Sequence, residues 1–179
     1  DLLATARGVN RALVLVMAYC GLRGSEAAAL EYDDFYRDGD HWRVVIAHAK
    51  GGHRQSVPCP SWVVDSVRDY FPTGLSGPSA AGRLHRLFAR CRIDATPHAL
   101  RHWFATTALR QSHDIRAVQT MMRHASLSST QIYTAVTDAE VSAVSDALPH
   151  VCARTRKEPR RSTLRGSRGE RRGVLGKVL

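Results

Sequence analysis

The sequence predicts an α+β domain, mostly α-helical, with a small antiparallel β-sheet (a hairpin) packed on one side. Three observations carry this expectation. Apolar residues recur at helical spacing through most of the chain, as in Leu100, Trp103, Phe104 and Ala108. A single stretch, residues 41–49, alternates in the period-two manner of a half-buried strand, with Trp42, Val44 and Ile46 on one side. Hydrophobic residues make up 44% of the 179, enough for one ordinary core.

The elements follow in order. Residues 1–19 read as one helix, with Val9, Leu13, Val16 and Met17 on a stripe and Gly21 as the residue that turns out of it. A short second helix begins near Gly24 or Ser25 and runs through Ala27, Ala28, Ala29 and Leu30. Asp38-Gly39-Asp40 is a turn signal, the strand 41–49 follows, and Lys50-Gly51-Gly52-His53 turns the chain into a return strand, 54–57. Residues 61–70 read as a short amphipathic helix with Trp62, Val63, Val67 and Tyr70 inward. Residues 71–78 are rich in Gly, Pro and Ser and read as a loop. Residues 79–92 form the next helix, its core side Leu84, Leu87 and Phe88 and its wet side Arg83, Arg86 and Arg90. Thr96 and Pro97 suit the N-cap and first position of a further helix. Asp114 caps a helix over 115–123, in which Met121 and Met122 read as core filler. A last helix spans 138–148, with Val141, Val144 and Leu148 inward, before Pro149.

Composition narrows the function. Cys20, Cys59, Cys91 and Cys152 are widely spaced with no C-x-x-C pair, so free thiols in a reducing cytoplasm are expected, with no zinc ribbon or redox motif. His98 and His102 could form half a zinc site, but no glutamate follows His98 as in H-E-x-x-H, so neither a metal nor any other cofactor is expected. No apolar run approaches the ~20 residues that span a bilayer, and no signal peptide is visible. The net charge is +10, which suits a polyanionic partner, nucleic acid first. That charge is uneven. Residues 153–179 hold ten Lys/Arg against Glu158 and Glu170, hence +8, and leave +2 for residues 1–152. The expected organisation is therefore a domain over 1–152 and a basic, disordered tail over 153–179.

The stretch richest in chemistry is 96–134. His98 and Arg101 lie one turn apart at a helix N-terminus, where partial positive charge and free N–H groups suit a phosphate. His124 follows, then Tyr133. Such a set is what phosphoryl transfer to a tyrosine nucleophile requires. His98-Ala99-Leu100-Arg101-His102, then His124-Ala125-Ser126-Leu127-Ser128-Ser129-Thr130, then Gln131-Ile132-Tyr133 resembles the C-terminal signature of the tyrosine recombinases, the phage-integrase family. Gly21-Leu22-Arg23-Gly24-Ser25-Glu26, with Leu30 and Asp33-Asp34-Phe35, resembles that family's first arginine box. Lys50-Gly51-Gly52-His53-Arg54 with Val57-Pro58 resembles its lysine hairpin. The resemblance covers about residues 10–148.

The resemblance implies the tyrosine-recombinase catalytic-domain fold and a catalytic set of Arg23, Lys50, His98, Arg101, His124 and Tyr133. Arg23 and Arg101 would fork onto non-bridging phosphate oxygens, with His124 donating a further bond. His98 would accept the tyrosine proton, and Lys50 would protonate the departing 5′ oxygen. The product would be a 3′-phosphotyrosyl link, rejoined without ATP or metal. Glu26, Arg54, His102 and Arg123 are expected as supporting or DNA-contacting groups; Glu26, one turn after Arg23, either orients its guanidinium or is a surface residue. The partner implied is double-stranded DNA, with a tetramer on paired sites and a monomer possible without DNA, in a bacterial or phage-infected cytoplasm. One departure stands out. The family commonly has Leu-Gly before its second histidine, where this chain has Met122-Arg123. Family members usually also carry a preceding helical domain that clamps DNA, which these residues do not include, so a catalytic-domain fragment or a small member is expected. Three other readings fit parts of the sequence: a helix–turn–helix module over 114–134 with Ser126–Ser129 as its turn, a relaxing topoisomerase of type IB kind, and a structural domain whose tail alone binds nucleic acid.

Overall fold

A computed structural model of the chain describes residues 2–47, 54–123 and 138–149. Within them the fold is mostly helical with one small antiparallel sheet, as the periodicities imply. The helices are α1 (Leu2–Thr5), α2 (Gly8–Tyr19), α3 (Gly24–Ala28), α4 (Ser61–Val67), α5 (Gly77–Arg90), α6 (His98–Ser112), α7 (Ile115–Met122) and α8 (Asp138–Asp146). The strands are β1 (Phe35–Asp38), β2 (His41–Ile46) and β3 (Gln55–Cys59), in the order β1-β2-β3.

The first helix expected from sequence is two helices. Arg7 is extended (φ −137°, ψ 154°) and Gly8 takes φ +53°, so the chain breaks between α1 and α2. Nor is α2 striped. Every residue from Ala12 to Tyr19 is buried, because α3, α4, α5 and α6 surround it. A helix apolar all round is the central element of a core, and here it is the axle on which the rest packs. Tyr19 lies edge-on to Trp62 of α4 (4.7 Å) and tilted against Trp103 of α6 (5.5 Å), and its hydroxyl donates to the Pro149 carbonyl at 3.1 Å. That bond ties the chain beyond α8 to the central helix.

The sheet has three strands where a two-stranded hairpin was expected. Residues 35–38, too short to alternate legibly, pair with β2 through the Asp38–His41 turn, whose Gly39 takes φ +59°. β2 ends at Ile46, earlier than expected, and β3 extends through Pro58, which an edge strand tolerates. Arg43 is buried with Val44, its Nε donating to the Ser56 hydroxyl across the ladder at 3.1 Å. α4 gives way to a 3₁₀ turn over Arg68–Tyr70, which leaves Tyr70 exposed rather than inward. α5 starts within the expected loop. Ser76 caps it, its hydroxyl accepting from the Ser79 amide at 3.3 Å, and Pro78 fills the first turn. Leu84, Leu87 and Phe88 are buried, while Arg83, Arg86 and Arg90 are exposed. α8 packs on its own chain, against α6, α7 and β3, with Val141, Val144 and Leu148 buried.

Candidate active site

Three helix ends converge. α2 finishes at Tyr19, Gly21 turns the chain at φ +64°, and Arg23 is the N-cap of α3. α6 opens with His98 and presents Arg101 one turn later. Its first turn is closed by backbone bonds, Ala99 N–H to the Thr96 carbonyl (2.9 Å) and Leu100 N–H to the Pro97 carbonyl (3.1 Å), so the helix begins one residue after the expected position. α7 is capped at its start by the Asp114 carboxylate, which accepts from the Arg116 (2.8 Å) and Ala117 (3.0 Å) amides. It ends at Arg123, in the left-handed conformation (φ 50°, ψ 47°).

Arg101 holds the three ends together. It is 2% exposed; its Nη1 donates to the Gly21 carbonyl and its Nη2 to the Met122 carbonyl. Met122 is the last residue of α7, so that carbonyl has no partner within its own helix. Burial, then the charges of Arg23 and Arg123, push the Arg101 pKa down to about 10 against the pull of Glu26. The group stays cationic at neutral pH, and its remaining N–H groups keep donor capacity.

Glu26 is the carboxylate of the cluster. It is no surface residue: its side chain is 3% exposed. Its Oε2 accepts from the Arg23 backbone N–H at 2.7 Å and from Arg123 Nη2 at 2.8 Å, and its Oε1 from Arg23 Nη1 at 2.8 Å. Burial pushes this carboxyl up, but the Arg23 amide and the charge and bonds of the two arginines outweigh it, so it lies below its ordinary range. Arg23 itself keeps 32% of its side chain exposed. Two guanidinium groups, Arg23 and Arg123, thus share one carboxylate with the Arg101 charge close by, and the surplus positive charge is what an anion would meet.

His98 is exposed at the head of α6, its ring 4.7 Å from that of His102 and perpendicular to it. Partial burial, then the charges of His102, Arg101 and Arg23, hold its pKa below the ordinary value, so the neutral imidazole is favoured near pH 7. The structure therefore brings Arg23, Glu26, His98, Arg101, His102 and Arg123 to one place. Arg54 is exposed just before β3. Lys50, His124 and Tyr133 lie outside the described residues, as does the tail. Sequence reasoning did not see the Gly21 and Met122 carbonyls as partners of Arg101. Of the two roles open to Arg123, supporting or DNA-contacting, its geometry favours the first: its side chain turns in and is 5% exposed. The available signal was the arginine standing where the family pattern has glycine.

Elsewhere, Cys20 and Cys59 are free thiols whose sulfurs lie 3.3 Å apart in the core, and Cys91 is also free. A groove of about 680 Å³ runs along α5, lined by Asn10, Ser79, Arg83, Arg86 and Arg90. No helix among the described residues is long and apolar enough to cross a membrane.

A profile described as the phage integrase family matches residues 1–140. The tyrosine recombinase XerA of Thermococcus kodakarensis is 35% identical over 146 residues, covering 72% of this chain and 51% of the relative. XerD of Mycobacterium leprae is 37% identical over 155 residues, covering 72% and 48%. The chain thus spans about half the length of these curated relatives. Among solved structures, an integrase from mycobacterium phage Brujita superposes with a TM-score of 0.67 at 28% identity, over 99% of this chain and 60% of that one. The XerH recombinase bound to its difH substrate gives 0.56 at 25% identity, over 69% and 42%. The matched profile takes in every helix end that builds the arginine cluster, and the chain belongs to the phage integrase family.

Proposed function

We propose that this domain performs site-specific DNA recombination, cleaving and rejoining strands through a transient 3′-phosphotyrosyl bond at Tyr133. The observation that carries the reading is the cluster itself: Arg23 and Arg101, from distant parts of the chain, converge beside a neutral His98 at the N-terminus of α6. A pentavalent phosphate gathers negative charge on its non-bridging oxygens, and forked cationic donors in a partly buried site stabilise that charge more than the ground state. Tyrosine, with an ordinary pKa of about 10, needs a base to attack at neutral pH. His98 takes the phenolic proton; the tyrosine oxygen bonds phosphorus as the 5′ oxygen leaves; Lys50 supplies a proton to that oxygen. His124 donates to a non-bridging oxygen. The reverse attack by another strand's 5′-hydroxyl restores the tyrosine, so no ATP is consumed and no metal is required. Double-stranded DNA is the partner, with Arg83, Arg86, Arg90 and Arg54 on its backbone. Strand exchange between two sites calls for a multimer on paired DNA, and the cytoplasm is where such DNA lies.

The test is a nicked duplex incubated with the protein in EDTA and run on a denaturing gel. A slow protein–DNA adduct that Tyr133→Phe abolishes and Arg101→Ala suppresses is expected. A duplex that is bound but never captured would overturn the reading in favour of a binding module. Relaxation of supercoiled plasmid without exchange between two sites would reassign the same chemistry to a topoisomerase.

A further inference from the structure

Arg123 occupies a backbone conformation that glycine adopts freely and a long L side chain seldom does. Its guanidinium turns inward onto Glu26, so it is not an outward cation laid along DNA. Its one side-chain bond among the described residues is Nη2 to Glu26 Oε2, and Nε and Nη1 are buried without a hydrogen-bond partner among those residues. Glu26 in turn stands between two guanidinium groups, 2.8 Å from each. A carboxylate paired with Arg23 alone would neutralise that arginine and point it at Glu26. A carboxylate shared with a second, buried guanidinium leaves Arg23 with positive charge to spare, and Arg23 is the partner that solvent, hence a ligand, can reach.

We propose that Arg123 is a positioning residue: by taking one oxygen of Glu26 it fixes the carboxylate and frees the exposed Arg23 guanidinium for a phosphate oxygen. This rests on the reading that Arg23 holds the scissile phosphate. It explains why a cation can replace a small residue at this turn. The bond to Glu26 joins the end of α7 to the start of α3, beside Arg101, which joins the end of α7 to the α2–α3 turn through the Met122 and Gly21 carbonyls.

Arg123→Gly suits the test, because glycine accepts φ +50° without strain and removes the guanidinium together with its stem, and the rescue by Glu26→Gln separates the lost charge from the lost packing. Adduct formation on the nicked duplex, affinity for that duplex and the response of the Arg23 Nε–H resonance to inorganic phosphate are measured for wild type, Arg123→Gly, Glu26→Gln and the double variant. Arg123→Gly is expected to bind duplex within about 2-fold of wild type, yet to cleave at least about 10-fold more slowly. The double variant, which removes the competing carboxylate, is expected to recover to within about 3-fold of wild type. The Arg23 resonance should follow the same order: a weakened phosphate response in Arg123→Gly, restored in the double variant. Wild-type cleavage by Arg123→Gly, or a loss that Glu26→Gln leaves in place or deepens, would overturn the proposal and make Arg123 a packing residue. If wild type makes no adduct on a duplex it binds, the recombinase reading fails separately, and the phosphate titration still decides the role of Arg123.

Discussion

Gly21→Ala is the sharpest perturbation the structure offers. Gly21 sits at φ +64° between α2 and the Arg23 turn, and a Cβ built there would meet the Phe104 ring at 2.7 and 2.8 Å. Two costs follow. A left-handed conformation costs an L-residue about 1–2 kcal/mol. Forcing a methyl into a packed core costs about 1–3 kcal/mol, and the obstacle is a buried ring on α6 rather than the loose end of a side chain. Together they come to about 2–5 kcal/mol, a large part of the roughly 5–15 kcal/mol that holds an ordinary domain. In a domain of this size each kilocalorie moves the midpoint by about 2–4 °C, so Tm should fall by about 4–20 °C. The assay is urea and thermal unfolding followed by circular dichroism. Phe104→Leu in the Gly21→Ala background should return part of the loss by clearing the ring, while the backbone share stays lost. Because the Gly21 carbonyl accepts from Arg101, the shifted turn should also slow adduct formation. A Gly21→Ala protein within about 0.5 kcal/mol of wild type would refute the reasoning.

Other outcomes follow from the same site. Arg101→Ala should cost stability as well as activity, by about 2–5 kcal/mol in chemical denaturation, since it leaves the Gly21 and Met122 carbonyls unpaired in the core; an inactive variant of full stability would contradict this. The acid limb of the cleavage rate should fall below the ordinary histidine pKa of about 6.5, because the folded site disfavours protonated His98. His102→Gln, which removes one of the charges responsible, should move that limb to higher pH, and an unmoved limb would dissociate His98 from the base. The folded-state pKa of Glu26 is lowered, so its contribution to stability is fully present above the ordinary carboxyl value of 4.5 and is lost as pH falls below it; in Glu26→Gln, unfolding followed between pH 3 and 6 should show a shallower acid slope. Asp114→Ala should cost about 1 kcal/mol through loss of two amide bonds at the head of α7, read as a shift in urea midpoint.

Much of this was open to a reader of the chain alone. Periodicity marks the helices over α5, α6 and α7 and the strand β2, because each buries one face and exposes the other. Cap chemistry places the start of α7 at Asp114. The spacing of His98 and Arg101 puts both at one helix end, and local motifs single out Arg23. Local rules are blind where burial is complete or pairing is distant. α2 is apolar on all sides, so its stripe carries no direction, and the break at Gly8 depends on a backbone angle. β1 is a strand only because β2 lies beside it. The direction of Arg123 is the clearest case. A sequence presents an arginine after a methionine, and long cations ordinarily stay in water. Only the tertiary fold brings a buried Glu26 within 2.8 Å of it, and a buried carboxylate flanked by two guanidinium groups is a lower free-energy arrangement than any of the three left alone in the core. The sequence by itself determined the family's motifs and the helix ends on which Arg23, His98 and Arg101 stand. The packing of three helix ends around α2 decided which of them hold one another and which face outward, because those distances are set by contacts between residues far apart in the chain.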